Sequence, residues 1–350
     1  MPLLKYRDYY KPFEYEWAYD AYKTQQRIHW MPEEVHLNDD LRDWNDKLTE
    51  SERSLLTQIF RFFTQADIDV SSGYIDNYMP AIKPPEMRMM MASFASQEAI
   101  HIDSYSLLID TIGMPETEYQ AFHEFQEMSD KHDYLWRTKP PKLKHPRKHE
   151  WQSEEYQRKL EIWSLALDLA KFSAFSEGLQ LFSSFAILLN FKRFGKMNNM
   201  GQIIAWSVRD ETLHVESMIK TFRTLLSEEP WLKETNIESV VQDTAREMVM
   251  LEEKFIDLVF SHGGVEGLTP EETKEYVFYI ADIRLNQLGF KPIFGVTENP
   301  LPWVHWMITG NEHQNFFEGR STAYSKASFS GNWGDAFTDL NMFYKQEGVV

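Results

Sequence analysis

The chain has 350 residues, with 54 Asp and Glu against 36 Lys and Arg, and a formal net charge of −18 at pH 7. That acidity excludes a surface built to displace counterions from nucleic acid and argues against binding to anionic membranes. It contains no cysteine, which excludes disulfides, thiolate metal sites and thiol nucleophiles, so any metal must be held by carboxylates and imidazoles.

Glycine and proline are sparse, at 15 each, which favours long helices over a turn-rich β fold. The N-terminus, MPLLKYRDYYKPFEYEW, has no apolar signal-peptide core, so a cytoplasmic location is expected. Residues 1–47 read as an irregular arm with aromatics among charges. Thr49 with Glu52 fits a capping box, and Leu55, Leu56, Ile59, Phe60, Phe63, Ala66 and Val70 follow at helical spacing. A second helix is expected from Pro84–Pro85 to about Ile112, closed by Gly113 and Pro115. A shorter helix is predicted over 116–131, then a basic, proline-containing loop over 137–149 (RTKPPKLKHPRKH).

One very long helix is predicted from Ser153 to Phe191. Its apolar stretch, Ile162 to Phe191, contains Asp168, Lys171, Glu177 and Gln180, which suits a buried helix better than a membrane span. Further helices are expected over 199–226, 238–261 and from the Thr269-Pro270-Glu272 start to Gly289. Beyond residue 290 the pattern weakens, and 319–350 reads as a flexible tail. The expected organisation is an arm over 1–47, a helical domain over 48–318 and a tail over 319–350.

Two Glu-x-x-His motifs, Glu98-Ala-Ile-His101 and Glu211-Thr-Leu-His214, each place a carboxylate and an imidazole on one helix face. Each follows another acid in an apolar helix at nearly the same interval: Asp67 before Glu98, and Glu177 before Glu211. Singly, each residue is better explained as a solvated acid or an ordinary histidine. Repeated, they form the plan of dinuclear carboxylate bundles: four helices supplying four carboxylates and two histidines to one core. Burying four carboxylates without cations is prohibitively costly, and oxygen and nitrogen ligands suit iron or manganese. The expected fold is therefore all-α, a ferritin-like bundle around a dinuclear metal site. Tyr105 lies one turn after His101 on the same face, and Asp210 lies one turn before His214, where an acid could orient a metal-bound imidazole.

At these residues the chain resembles the radical-generating small subunit of class I ribonucleotide reductase. The segments carrying the resemblance are WMPEEV (30–35), QADIDV (65–70), SQEAIHIDSY (96–105), SEGLQLFSSF (176–185), RDETLH (209–214) and NFFEGRSTAYSK (315–326). It implies that Asp67, Glu98, His101, Glu177, Glu211 and His214 are metal ligands, that the pair is di-iron or di-manganese, and that Tyr105 carries a radical. It further implies that Trp30 and Asp210, with His101, begin a radical-transfer route, and that Tyr324 relays the radical to a large subunit docked by the final tail residues. A homodimer follows from the same resemblance, as does an activating flavoprotein where superoxide is the oxidant. Phe185 and Leu181 would wall the radical off from water. Ser207, one turn before Glu211, stands where the resemblance implies an apolar residue. Tyrosine rather than phenylalanine at 105, and Asp67 as first acid, fit the tyrosine-bearing types. The competing readings are a stand-alone di-metal oxidase or monooxygenase, which needs neither Trp30 nor a tail tyrosine, and a metal-storage bundle, which needs no relay.

Overall fold

A computed structural model describes residues 2–119, 125–135 and 153–308. The chain divides into two compact units, Met1–Pro302 and Trp303–Val350. Of the second, residues 303–308 are described, and they are helical.

In the first unit the order is α1 (Glu16–Arg27), α2 (Asn38–Arg42), α3 (Glu50–Ser72), α4 (Met79–Ala81), α5 (Pro85–Thr111), α6 (Gln126–Leu135), α7 (Glu154–Lys171), α8 (Phe182–Arg193), α9 (Asn198–Glu228), α10 (Ile237–Ser261) and α11 (Pro270–Leu288). There is no strand among the described residues, only an isolated bridge between Val265 and Leu268. The all-α expectation holds.

The helix starts follow their sequence signals. Thr49 Oγ1 accepts from the Glu52 amide at 3.2 Å while the Glu52 carboxylate accepts from the Thr49 amide at 2.9 Å. Thr269 and Glu272 repeat this arrangement at the head of α11, and Ser153 caps α7. Each such cap satisfies backbone donors that the first turn leaves open. Gly289 ends α11 with φ +89°, a left-handed conformation that glycine adopts without a Cβ penalty.

Three differences from the sequence reading matter. The arm expected to be irregular contains α1, which buries only Ala18, Ala21 and Gln25 and packs on α5. Three buried residues among charges leave too faint a period to read. The arm is pinned where Glu86, fully buried in the first turn of α5, pairs with Arg7 and accepts from the amides of Glu14 and Tyr15 at 3.0 and 3.2 Å. Second, the long helix expected over 153–191 is interrupted: α7 passes into a π turn, Phe172–Glu177, and turns carry the chain to α8. Third, the helix expected over 116–131 is a 3₁₀ turn at Glu116–Tyr119 and then α6. The apolar window within 154–193 is long enough to cross a membrane but is entirely buried inside the protein, as a core helix is.

The core is aromatic. Phe60, Phe62, Phe63, Phe94, Phe175 and Phe185 are all at most 2% exposed. α3 packs on α5, α7 and α8 on α9, and both α5 and the Phe172–Glu177 turn reach α9. These four segments, α3, α5, the π turn and α9, surround the site.

Candidate metal centre

Each of the four core segments contributes one piece. Asp67 comes from α3, Glu98 and His101 from α5, Glu177 from the end of the π turn, and Glu211 and His214 from α9. All six are at most 1% exposed. Their ligand atoms form two overlapping groups, Glu98–Glu177–Glu211–His214 and Asp67–Glu98–His101, within each of which the atoms lie within 4.8 Å of one another. Glu98 belongs to both. The structure thus brings together all six residues picked from the repeated motif.

The Glu-x-x-His spacing puts each histidine over its own glutamate. His101 Nδ1 is 3.1 Å from Glu98 Oε2 and 3.3 Å from Glu211 Oε1. His214 Nδ1 is 2.7 Å from Glu98 Oε1, yet without hydrogen-bonding geometry, so neither atom is satisfied by the other. Both Nδ1 atoms face the cluster and both Nε2 atoms face away. His101 Nε2 is 3.3 Å from Asp210 Oδ2, and His214 Nε2 is 3.0 Å from Gln25 Oε1. An outward partner of this kind fixes the tautomer and orientation of a metal-binding imidazole.

The donor set fits cations. Both oxygens of Asp67, one oxygen each of Glu98, Glu177 and Glu211, and His214 Nδ1 are buried with no hydrogen-bond partner among the described residues. Buried acceptors in such number, clustered and lacking proton donors, are the signature of a site completed by positive charge. The electrostatics of the cluster agrees. Burial, then the neighbouring carboxylates, push Asp67 and Glu177 well above the usual carboxylate range. Burial and Glu98 raise Glu211 to about 7. Burial also raises Glu98, but His101 and His214 outweigh it and hold that carboxyl at about 2. Without cations, four buried acids cannot all remain charged.

A hydrogen-bonded chain leads outward. Trp30 Nε1 donates to Asp210 Oδ2 at 2.7 Å, the same oxygen that faces His101 Nε2, and the Trp30 ring stacks on His101 at 5.9 Å between centroids. Arg209 and His101 hold Asp210 below the usual carboxylate range against the effect of its burial. On the other side, Tyr105 is 2% exposed and its hydroxyl donates to Ser207 Oγ at 3.1 Å. Burial, then Asp67, push its phenol well up. Phe63 lies edge-on to Tyr105 at 4.9 Å, and Phe185 lies tilted against Phe63 at 5.4 Å. Phe185 thus reaches the tyrosine through Phe63. Leu181 is buried as well. Tyr324 and the tail over 319–350 lie outside the described residues.

Two residues were missed. Gln25 sits on the faint α1, and nothing in its flanking sequence marks it. Tyr74 is fully buried and its hydroxyl donates to Glu177 Oε1 at 2.5 Å. Its signal was available: it lies two turns after Asp67, near the same face.

A family profile described as ribonucleotide reductase, small chain, matches residues 7–300. The chain belongs to the ribonucleotide reductase small-chain family. It is 44% identical, over 95% of its length and 88% of the other's, to the probable ribonucleoside-diphosphate reductase small subunit 048L of Invertebrate iridescent virus 3. Its fold is similar to that of a putative class I ribonucleotide reductase from Bacillus halodurans (TM-score 0.71, 22% identity, 83% of this chain and 99% of the other). It is also similar to the dimanganese(II)-NrdF of Streptococcus sanguinis (TM-score 0.64, 19% identity, 86% and 100%). As the small subunit of a ribonucleoside-diphosphate reductase, the chain is one part of an oxidoreductase that a large subunit completes. This family assignment sets aside the stand-alone oxidase and the storage bundle.

Proposed function

We propose that Asp67, Glu98, His101, Glu177, Glu211 and His214 hold two cations, iron or manganese, and that the chain uses them to oxidise Tyr105 and to send the oxidising equivalent to the large subunit. The observation that carries this reading is the set of buried, partnerless ligand atoms in two groups sharing Glu98. When bound, the metal pair supplies an oxidant stronger than a phenol, charged by dioxygen or by superoxide from a flavoprotein. Both metals accept this donor set, and the Streptococcus sanguinis neighbour is a dimanganese protein.

The protein's own residues do the rest. Tyr105 would give one electron to the oxidised metal pair and its hydroxyl proton to the carboxylate side of the cluster, where Asp67 is the acid that acts most strongly on the phenol. Ser207 Oγ holds the hydroxyl in place, and Phe63 and Phe185 keep water and reductants from the ring. Trp30, Asp210 and His101 form the exit. Asp210 Oδ2 accepts from the indole N–H and faces the imidazole, so an electron leaving Trp30 can be matched by a proton shift onto the carboxylate. Tyr324 and the tail over 319–350 would carry the equivalent on and dock the large subunit, and the chain would pair with a second copy as a homodimer.

Metal analysis of the reconstituted chain should find about two metals per chain, and paramagnetic resonance after oxidant exposure should show a tyrosyl signal. A protein that takes up no metal, or a signal unchanged in Tyr105→Phe, would overturn the reading. Tyr324→Phe should leave metal uptake intact and abolish nucleotide reduction with the large subunit; unchanged turnover would show the relay to be misplaced.

A further inference from the structure

Tyr74 is not accounted for by the cluster or by the exit route. It sits in the π turn Gly73–Tyr78 that ends α3. Its ring lies edge-on to Phe172 at 5.0 Å and Phe94 at 5.9 Å, and near the His214 ring at 6.3 Å. Gly73 permits that packing: a Cβ there would stand 2.7 Å from Phe172 Cε2. The ring is therefore locked, with its hydroxyl on Glu177 Oε1 at 2.5 Å.

The consequence is an asymmetry between the two ligand groups. Glu177 has one oxygen taken by a fixed donor and one, Oε2, without a partner among the described residues. Asp67, the acid peculiar to the other group, has no donor on either oxygen among the described residues. A carboxylate held by a hydrogen bond offers its remaining oxygen in one orientation, and the entropy of ordering it is already lost before a cation arrives.

We propose that Tyr74 is a positioning residue: it fixes Glu177 through the Oε1 hydrogen bond and thereby makes the Glu98–Glu177–Glu211–His214 position the tighter of the two for a divalent cation. This rests on the two-cation reading above.

The test is a titration of the metal-free full-length chain with manganese(II) under anaerobic conditions, reading free ion by paramagnetic resonance. Wild type should show two steps. Tyr74→Phe should weaken one step about 10- to 100-fold and leave the other within twofold. In an Asp67→Ala background, where the Glu177 position remains, Tyr74→Phe should weaken the surviving step by the same factor. Tyr78→Phe is the control. It removes a buried hydroxyl from the same π turn whose partner is the Asp168 backbone carbonyl, and it should move neither step. 3-Fluorotyrosine at position 74 keeps the donor, should retain wild-type affinities, and serves if the phenylalanine variant folds poorly. Two unchanged affinities in Tyr74→Phe, or equal weakening in Tyr78→Phe, would overturn the proposal while leaving the two-cation reading intact. Failure of wild type to bind manganese would sink that reading and this proposal with it.

Discussion

The Tyr105–Ser207 contact gives the sharpest stability prediction. Both residues are buried, at 2% and 0% exposure, and they are joined by one hydrogen bond of 3.1 Å. Ser207→Ala removes the acceptor and leaves a buried phenol hydroxyl without it. Leaving a buried donor unsatisfied costs about 1–3 kcal/mol. Tyr105→Phe is milder. The Ser207 hydroxyl can rotate onto the carbonyl one turn back in α9, so only the net worth of the bond is lost, about 0.5–1.5 kcal/mol. The double variant, Tyr105→Phe with Ser207→Ala, leaves two apolar groups facing each other and no stranded polar atom. Its loss should fall short of the sum of the single losses by at least about 0.5 kcal/mol, the usual lower bound for coupled neighbours. Urea unfolding of the four metal-free proteins measures this. Strict additivity, or a Ser207→Ala protein as stable as wild type, would refute the argument and would mean that another group already satisfies the phenol.

Three further outcomes are expected. Gly178→Ala places a Cβ 2.7 Å from the Ser173 and Ala174 carbonyls and 2.8 Å from Arg284 Nε. It should cost about 1–3 kcal/mol and lower metal content through the adjoining Glu177, read by melting and metal analysis; an unperturbed protein would show the π turn to be pliable. Thr49→Ala removes the capping box at the head of α3 and should cost about 0.5–2 kcal/mol in chemical unfolding, whereas Thr49→Ser should be close to neutral. The third concerns pH. In the metal-free chain Asp67, Glu177 and Glu211 have raised carboxyl pKa values, Glu211 at about 7. A raised acid favours the folded state while it is protonated, so its contribution is complete below the unfolded pKa and is lost as pH rises through the folded one. The metal-free midpoint in urea should therefore fall as pH passes through about 7, and the loaded protein should not show this fall. Metal uptake near that pH should release protons, visible in calorimetry as a dependence on buffer ionisation enthalpy.

The parts legible in the sequence were those with a local signal. Capping residues announced α3 and α11, and the repeated acid and Glu-x-x-His spacing brought six scattered residues to one cluster. Helical periodicity survives burial because it depends only on which residues share a face. Ser207 stands out in the sequence as a polar residue in the lining that the resemblance implies around the radical position; the hydrogen bond it accepts from the Tyr105 hydroxyl depends on how α5 packs on α9. Gln25 was hidden because α1 buries so little of itself. The break in the 153–191 helix has no local signal, because π turns have no composition of their own and an apolar run reads as uninterrupted α-helix; Tyr74 does carry one, its place two turns after Asp67, but a lone tyrosine at that spacing reads as ordinary core.

Those turns fix the angular setting of the site. A π turn carries one more residue than the α turn it replaces, and each residue of an α-helix advances about 100° around the axis. Deleting a single residue within 172–177 would let α7 run on as regular helix. It would also swing Glu177 roughly a quarter-turn away from Glu98, Glu211 and His214. Inserting one residue before Glu177 would swing it the other way. The core segment that supplies Glu177 is thus intolerant of length changes even where every substitution in it keeps the same apolar character, and the Gly73–Tyr78 turn imposes the same rule on Tyr74. A change of one residue in either place would leave a well-packed bundle whose parts no longer point at one another.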